Sequence, residues 1–385
     1  MRYKRIFLFI LDGCGCGEQP DYRRYHAERS NTLKSLFTPK KSFTLPTLER
    51  LGLSQILNLQ RDNKKAIYGK LRELSKGNDT FAGVWEMIGQ PFLKRFSSRH
   101  EGFRPKLRKH IEHELGVRVV GNEYISGYKA LDKYYIEHVT SLGPIVYFSD
   151  DGVILFAGHK DVITPTTLNR LARKLAKLLS GSDYARVITR PFSGKPKGFV
   201  RLERYRKDFL IDASTPSLIR KLVAKKIPVR ITEHLYHLFG SPAGISVLPN
   251  DIKERLTVSV EKDLKIYRKG FFMYVFQDTD NYGHKKDAEG FRGALHRFDS
   301  WLSGFVRKLN DEDLVFITAD HGCNPTLKRV RGHNREYVPL LIFSPALTAG
   351  IKLGIRKTFA DLGATIARNF GIKSLQSGTV IHEIL

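Results

Sequence analysis

Three unbroken apolar runs that each end in acidic or imidazole side chains constrain the fold of this chain most strongly. The runs, each with the polar residues that follow it, are 4–11 with Asp12, 270–276 with 277–284, and 313–319 with Asp320 and His321. An apolar run without alternation is typical of a strand buried on both faces of a sheet. A fourth run of the same kind, 338–344, brings the predicted central strands to four.

Amphipathic segments at 290–309 and 359–370 accompany these runs, with apolar residues every three or four positions. Gly371 follows the second segment as a helix stop. Strands that alternate with such helices predict an α/β fold, with a mostly parallel sheet flanked by helices. Binding sites in such folds lie at the carboxyl ends of the strands, where this chain has its Asp and His residues.

The middle of the chain has a different pattern of shorter apolar runs. The runs are 146–148, 153–157 and 186–189, around one predicted helix at 167–179. We interpret residues 96–209 as a smaller α+β cap domain. This cap is inserted into a metal-binding catalytic core formed by residues 1–95 and 210–385.

The formal net charge of +26 is unusually high, and the basic residues are spread along the chain rather than gathered in a tail. Such a charge attracts anions in general, including phosphate esters and nucleic acid. We find no basic motif interleaved with aromatic residues, so specific nucleic-acid binding is not expected. A generally basic, solvated surface accounts for the charge.

The chain has no pattern typical of export or membrane insertion. The first apolar run is too short to span a bilayer and lacks a signal-peptide cleavage pattern. The three cysteines are too few for a disulfide framework. We therefore expect a cytoplasmic protein with no membrane partner. Cys14 and Cys16 suit either a soft metal site or a tight turn that needs small residues.

Carboxylate and imidazole side chains cluster beside the predicted strand ends. The six candidate metal ligands are Asp12, Asp280, His284, Asp320, His321 and His333. A catalytic metal site needs oxygen and nitrogen ligands that converge from different strands. Any one of these residues alone would be explained by a turn or a helix cap. All six at one edge of one sheet predict metal binding.

Thr80 is the candidate nucleophile. A site with two metal ions needs a bridging anion or a nucleophile between the ions, and the Thr80 hydroxyl oxygen could be that group. It follows Gly77, Asn78 and Asp79 and precedes the apolar segment 81–87. A hydroxyl at a helix N-terminus suits phosphate attachment, because free backbone N–H groups face it. The alternative is that Thr80 only caps this helix, and the spacing alone leaves both open.

These segments together resemble the phosphopentomutase family of the alkaline phosphatase superfamily, with this chain as a divergent member. The resemblance covers nearly the whole chain. The matching segments are 12–13, 68–70, 77–80, 121–122, 126–127, 149–159, 190–194, 283–287, 318–322, 333–339 and 358–365.

The resemblance implies an alkaline-phosphatase-like core with an inserted cap and two Mn²⁺ ions, with Zn²⁺ or Mg²⁺ as alternatives. By motif match, Asp12, Asp320, His321 and the Thr80 oxygen hold one ion. Asp280, His284 and His333 hold the other.

The implied activity is that of an isomerase in nucleotide salvage. A phosphoryl group carried on Thr80 passes to the free hydroxyl of a pentose phosphate, and the other phosphoryl group returns to the threonine. Phosphate thereby moves between C1 and C5 of ribose or deoxyribose, with glucose 1,6-bisphosphate as the expected activator. By analogy the substrate-binding residues are Arg190, Ser149, Asp151, Val153 and His234.

The chain departs from the family pattern at three places. The family has its aspartate five residues before the histidine of its Gly-His pair. Here Asp280 lies four residues before His284, and we favour it over Asp278. Val84 replaces a histidine of the threonine segment, and His234 replaces a phosphate-contacting lysine.

Two other functional classes compete with this interpretation. The first is a metal-dependent phosphatase or phosphodiesterase on the same scaffold, or a mutase for another phosphosugar. The second is a binding or structural protein associated with nucleic acid. Retention of all six candidate ligands argues against the second.

Overall fold

A computed structural model describes most of the 385-residue chain. The described residues are 1–25, 28–37, 43–59, 67–96, 102–149, 152–211, 217–249, 256–328, 332–347, 350–373 and 375–385. Within these ranges, no helix has the length and apolar character that crossing a bilayer requires.

The described residues form fourteen β-strands. They are β1 (Arg5–Leu11), β2 (Ile67–Leu71), β3 (Val120–Tyr124), β4 (Ile145–Ser149), β5 (Val153–His159), β6 (Arg186–Ser193), β7 (Val200–Arg201), β8 (Asp208–Leu210), β9 (Val229–Thr232), β10 (Ser246–Leu248), β11 (Gly270–Phe276), β12 (Asp313–Thr318), β13 (Val338–Phe343) and β14 (Ile351–Arg356).

The same residues form thirteen α-helices. They are α1 (Thr32–Leu36), α2 (Pro46–Leu48), α3 (Ser54–Leu57), α4 (Thr80–Met87), α5 (Pro105–Leu115), α6 (Gly127–Ser141), α7 (Pro165–Leu178), α8 (Ser217–Ala224), α9 (Glu233–Leu238), α10 (Leu256–Ile266), α11 (Asp278–His284), α12 (Ala288–Val306) and α13 (Ala360–Asn369).

The chain divides into two compact units. One unit contains Met1–Leu93, Pro216–Tyr236 and Pro242–Leu385, and the other contains Lys94–Thr215 and His237–Ser241. The roles of catalytic core and cap that the sequence predicts for these parts of the chain stay predictions.

The larger unit is built on an eight-stranded sheet with the order β10-β9-β11-β1-β12-β13-β2-β14. The central strands β11, β1 and β12 are parallel, whereas β13 runs antiparallel to both β12 and β2. The first residue of β13 therefore lies at the sheet edge where β1, β11 and β12 end. This reversal decides which residues can meet at that edge.

Helix α12 covers one face of β1 with aromatic side chains. The ring of Phe9 contacts Phe298, Trp301 and Phe305, with centroids 6.2, 5.5 and 5.4 Å apart. These apolar residues recur on one side of α12 at helical spacing. Burial of each such side chain stabilises the fold by about 1.5–3 kcal/mol. The packing holds β1 rigidly, and with it the carboxylate that follows the strand.

The smaller unit has its own sheet, in the order β3-β4-β5-β6-β7, with β8 paired to β6. Because successive strand residues point to opposite faces, β5 contributes Ile154 and Phe156 to one core and Val153 and Leu155 to the other. Helices α5 and α7 cover the first face, and α6 covers the second. This unit is therefore a three-layer α+β structure.

Candidate metal centre

All six predicted metal ligands belong to the larger unit and lie at one edge of its sheet. Asp12 follows β1, and Asp320 and His321 follow β12. Asp280 and His284 belong to α11, which begins two residues after β11 ends. His333 precedes β13, and the antiparallel direction of that strand brings it to the same edge. The sheet therefore gathers ligand-type side chains that are up to 321 residues apart in the sequence.

Asp12, Asp320 and His321 form the first ligand cluster. His321 Nε2 lies 3.4 Å from Asp12 Oδ1 and 3.4 Å from Asp320 Oδ2. The three side chains are almost completely buried. Backbone N–H groups of Gly13 and His321 both donate to Asp320 Oδ1 at 3.1 Å, which fixes the orientation of this carboxylate.

Asp280, His284 and His333 form the second cluster. Asp280 Oδ2 lies 3.2 Å from His284 Nε2, and Asp280 Oδ1 lies 3.7 Å from His333 Nε2. The two Nε2 atoms are 3.1 Å apart. The rings of His333 and His321 stack with centroids 3.8 Å apart, so the two clusters adjoin.

The donor set of both clusters fits divalent cations. Asp320 Oδ2 and Asp280 Oδ1 are buried, and neither has a hydrogen-bond partner among the described residues. A buried carboxylate oxygen without a partner is costly unless a cation compensates it. Burial raises the pKa of Asp12 well above its usual range, and the charges of Asp320 and Asp280 raise it further. Positive charge between these carboxylates would relieve this repulsion.

His333 has the protonation preference of a metal ligand. Burial lowers the pKa of His333 to about 3, with the neighbouring charge of His321 acting in the same direction. The neutral imidazole, which is the form that binds metal, is therefore favoured. His333 Nδ1 lies 2.9 Å from the carbonyl oxygen of Asn78, to which an Nδ1–H donates. This leaves Nε2 facing Asp280 as the free ligand atom.

The carboxylate beside the histidines is Asp280, not Asp278. The Asp278 side chain is 59% exposed and pairs with Arg297 at 3.6 Å. Burial raises the pKa of Asp280, but the hydrogen bond from His284 and the charges of His333 and His321 outweigh it and hold this pKa below its usual range. Asp280 precedes His284 by one helical turn, so both face the same side of α11.

Thr80 is the first residue of α4, and it does not cap that helix. The N-cap is Asp79, whose side chain accepts a hydrogen bond from the backbone N–H of Ala82 at 2.9 Å. The alternative that Thr80 serves only as a cap is therefore wrong. Its Oγ1 lies 3.2 Å from His321 Nε2 and 3.5 Å from Asp12 Oδ1, beside the first cluster.

Two charged residues that follow His333 support the centre and are not among the predicted site residues. Arg335 forms a buried ion pair with Glu73 and donates to the carbonyl oxygens of Ser75 and Gly77. Glu336 accepts hydrogen bonds from the backbone and hydroxyl of Thr32. The signal available in the sequence was a pair of charged residues one position before an apolar strand.

The predicted substrate residues lie on several elements. In the smaller unit, Ser149 ends β4 and pairs with Val153 of β5, and Arg190 belongs to β6. Arg190 Nη1 lies 3.1 Å from Glu203, while its Nε is buried and has no hydrogen-bond partner among the described residues. His234 is half-buried in α9. Asp151 lies outside the described residues.

Comparison with known proteins identifies the family. A phosphopentomutase of Caldanaerobacter subterraneus subsp. tengcongensis is 38% identical to this chain, over 98% of the chain and 96% of that protein. The phosphopentomutase of Herpetosiphon aurantiacus is 36% identical over 98% of each. The chain belongs to the phosphopentomutase family. It is therefore a metal-dependent isomerase, and the family predicted from its motifs is confirmed.

Broader comparisons agree with this family. The profile of the Metalloenzyme superfamily matches residues 216–374, which include five of the six candidate ligands. Among solved structures, a protein from Pyrococcus horikoshii aligns with a TM-score of 0.51 and 14% identity, over 98% of this chain and 100% of that one. A Leishmania mexicana phosphoglycerate mutase aligns with a TM-score of 0.51 and 12% identity, over 98% and 97%. The alkaline-phosphatase-like α/β fold class is confirmed.

Proposed function

We propose that this chain is a phosphopentomutase that moves phosphate between C1 and C5 of ribose or deoxyribose through a phosphothreonine at Thr80. The position of the Thr80 hydroxyl carries the proposal. Its Oγ1 is not used as a helix cap, and it lies beside Asp12 and His321 at the N-terminus of an eight-residue helix. A phosphoryl group attached there would face backbone N–H groups and the positive end of the helix dipole.

We propose that two divalent cations, Mn²⁺ in the first instance and Zn²⁺ or Mg²⁺ as alternatives, occupy the two clusters. Asp12, Asp320 and His321 would hold one cation, together with the Thr80 oxygen. Asp280, His284 and His333 would hold the other. Bound cations supply positive charge that stabilises the oxygens of a transferring phosphoryl group.

The surrounding residues hold this arrangement in place. Asn78 exchanges hydrogen bonds with His333, through its carbonyl at 2.9 Å and its side-chain amide at 3.0 Å. Asn78 is two residues before Thr80, so this contact couples the threonine to the second cluster. Thr279 Oγ1 donates to the carbonyl oxygen of Asp12 at 2.6 Å, which holds the end of β1 against the start of α11. Such fixed geometry favours transfer at a defined position.

The proposed substrate is a small phosphosugar, and glucose 1,6-bisphosphate is the proposed activator that first loads the threonine. Arg190 would contact the sugar or its distal phosphate through its guanidinium group, whose Nε has no hydrogen-bond partner among the described residues. Ser149, Asp151, Val153 and His234 would line the same substrate. Guanidinium groups suit phosphate because they can form two parallel hydrogen bonds.

The test is ³¹P NMR of the reaction with ribose 1-phosphate and a trace of glucose 1,6-bisphosphate. Protein loaded with Mn²⁺ is incubated with these sugars, and the reaction is stopped with a chelator so that the paramagnetic ion does not broaden the signals. We expect ribose 5-phosphate without inorganic phosphate. Thr80→Ala, which removes the attachment oxygen, is expected to yield neither product. Thr80→Ser is the matched control, since it keeps the hydroxyl.

Two results would contradict the proposal. Inorganic phosphate as the main product would make the protein a phosphatase, with water replacing the sugar as acceptor. Conversion by Thr80→Ala at the wild-type rate would exclude the phosphothreonine, whatever the product.

A further inference from the structure

The third cysteine of the chain lies at the metal centre. Cys323 is two residues after His321 and is fully buried. Its Sγ, one carboxylate oxygen of Asp280 and one ring nitrogen of His284 all lie within 4.8 Å of one another. Donors around a tetrahedral zinc ion lie about 3.5 Å apart, as follows from metal–ligand bonds of about 2.0–2.3 Å. The three atoms are therefore within a small side-chain movement of shared coordination.

Two glycines make room for this cysteine. A Cβ placed on Gly13 would lie 2.8 Å from Cys323 Cβ and 3.2 Å from Asp280 Oδ1. A Cβ placed on Gly283 would lie 2.5 Å from Cys323 Sγ. Both distances to Cys323 are shorter than side chains tolerate. The backbone N–H of Cys323 also donates to the carbonyl of Gly13 at 2.8 Å, which fixes the residue beside α11.

We propose that Cys323 supplies a sulfur ligand to the second cation site, beside Asp280, His284 and His333. The proposal rests on the two-metal centre of the proposed function. It makes the second site a mixed oxygen, nitrogen and sulfur site, whose thiol releases its proton to solvent when the cation binds. Sulfur ligands favour Zn²⁺ and Co²⁺ over Mn²⁺. The second site therefore prefers zinc-like ions more strongly than the first.

The other cysteines do not offer the same chemistry. Among the described residues, the potential metal-binding groups at this edge contain neither Cys14 nor Cys16. The group of Asp12, Asp320 and His321 contains oxygen and nitrogen donors alone. Cys16 is fully buried, like Cys323. It is therefore a matched control for the loss of one buried thiol.

The test is Co²⁺ titration of metal-free protein, followed by absorption spectroscopy. Cobalt bound by any ligand shows weak visible bands, whereas cobalt bound by thiolate adds an intense near-ultraviolet charge-transfer band. We expect this band in the wild type and in Cys16→Ser, and its loss in Cys323→Ser with the visible bands retained. X-ray absorption of the zinc-loaded protein should show a sulfur neighbour at about 2.3 Å that Cys323→Ser lacks.

Competition between Zn²⁺ and Mn²⁺ gives a second readout. The affinity of the second site for Zn²⁺ divided by its affinity for Mn²⁺ is expected to fall by about tenfold or more in Cys323→Ser. The same ratio should stay unchanged in Cys16→Ser. Visible bands without a charge-transfer band in the wild type would overturn the sulfur ligand and leave the metal centre intact. Absence of any bound cobalt in the wild type would overturn both this inference and the proposed centre.

Discussion

Replacement of Arg335 by methionine is the most informative single perturbation of this fold, because one buried guanidinium ties several parts of the centre together. It pairs with Glu73, and both side chains are almost completely buried, at 1% and 2% exposure. It also donates to the carbonyl oxygens of Glu73, Ser75 and Gly77 at 2.9, 2.8 and 2.9 Å. These residues belong to the loop that leads into Thr80.

The magnitude follows from what the substitution leaves behind. Methionine fills most of the aliphatic volume but leaves the Glu73 carboxylate buried without its partner. Removal of one member of a buried ion pair costs about 3–5 kcal/mol. Because whole proteins are stable by only about 5–15 kcal/mol, this is a large fraction of the total. With a urea dependence of about 3 kcal/mol/M, the unfolding midpoint of the larger unit should fall by about 1 M or more.

Tryptophan fluorescence in a urea titration measures this effect selectively. Trp85 and Trp301, the two tryptophans of the chain, both lie in the larger unit. Arg297→Met is the matched control, since Arg297 pairs with Asp278 at the surface, where both side chains are about 60% exposed. That exposed pair should contribute less than about 1 kcal/mol.

A double variant tests the assigned cause. Glu73→Leu combined with Arg335→Met removes both charges, and it should recover part of the stability that Arg335→Met loses. The reasoning is refuted if Arg335→Met unfolds at the same urea concentration as Arg297→Met. It is also refuted if the double variant is no more stable than Arg335→Met.

Three further predictions concern catalysis, substrate binding and pH. Thr80→Ala should lack the phosphate that we propose for the wild-type tryptic peptide, and calorimetry should show that it still binds Mn²⁺, because all six Asp and His ligands remain; retained phosphate would place the modification on another residue. Arg190→Ala should raise the KM for ribose 1-phosphate at least about tenfold, since charge-assisted hydrogen bonds are worth about 1.5–3 kcal/mol; an unchanged KM would remove Arg190 from the substrate site. Asp208→Asn should destabilise the smaller unit by about 3 kcal/mol at pH 7, because Asp208 is buried against Arg206 at 2.9 Å. Burial opposes the ionised form of Asp208, but the charges of Arg206 and Arg186 outweigh it and hold the pKa of Asp208 below the usual value. The stabilisation by the Asp208 carboxylate is therefore present above about pH 4 and is lost as the pH falls further. Chemical unfolding followed by circular dichroism should therefore show a smaller difference in the free energy of unfolding between the wild type and Asp208→Asn at pH 3 than at pH 7. An equal difference at both pH values would exclude the ionisation of Asp208 as the source of the stabilisation.

The sequence by itself determined the central strands and the chemical type of the centre. The runs 4–11, 270–276 and 313–319 predict β1, β11 and β12 to within one residue. These strands are buried on both faces, so they need apolar residues at nearly every position after the first, and that pattern is local. The acidic and imidazole residues follow the runs directly, so their place at the strand ends was also visible.

Local ambiguity at α4 and α11 needed the backbone to resolve it. Asp79 and Thr80 are both good capping residues, and the helix start decides which of them caps. Asp278 and Asp280 are both acidic residues near His284. The position of α11 relative to β13 turns Asp280 toward His333 and leaves Asp278 in solvent.

The contacts that complete the centre depend on tertiary structure alone. Arg335 and Glu73 are 262 residues apart, and Cys323 and Asp280 are 43 apart. They meet because the sheet has the order β11-β1-β12-β13-β2, with β13 reversed. A strand's own residues specify its burial but not its neighbours or its direction, since these depend on how all the strands pack together. The sequence therefore predicted which donors exist, and the strand order decided which of them lie close together.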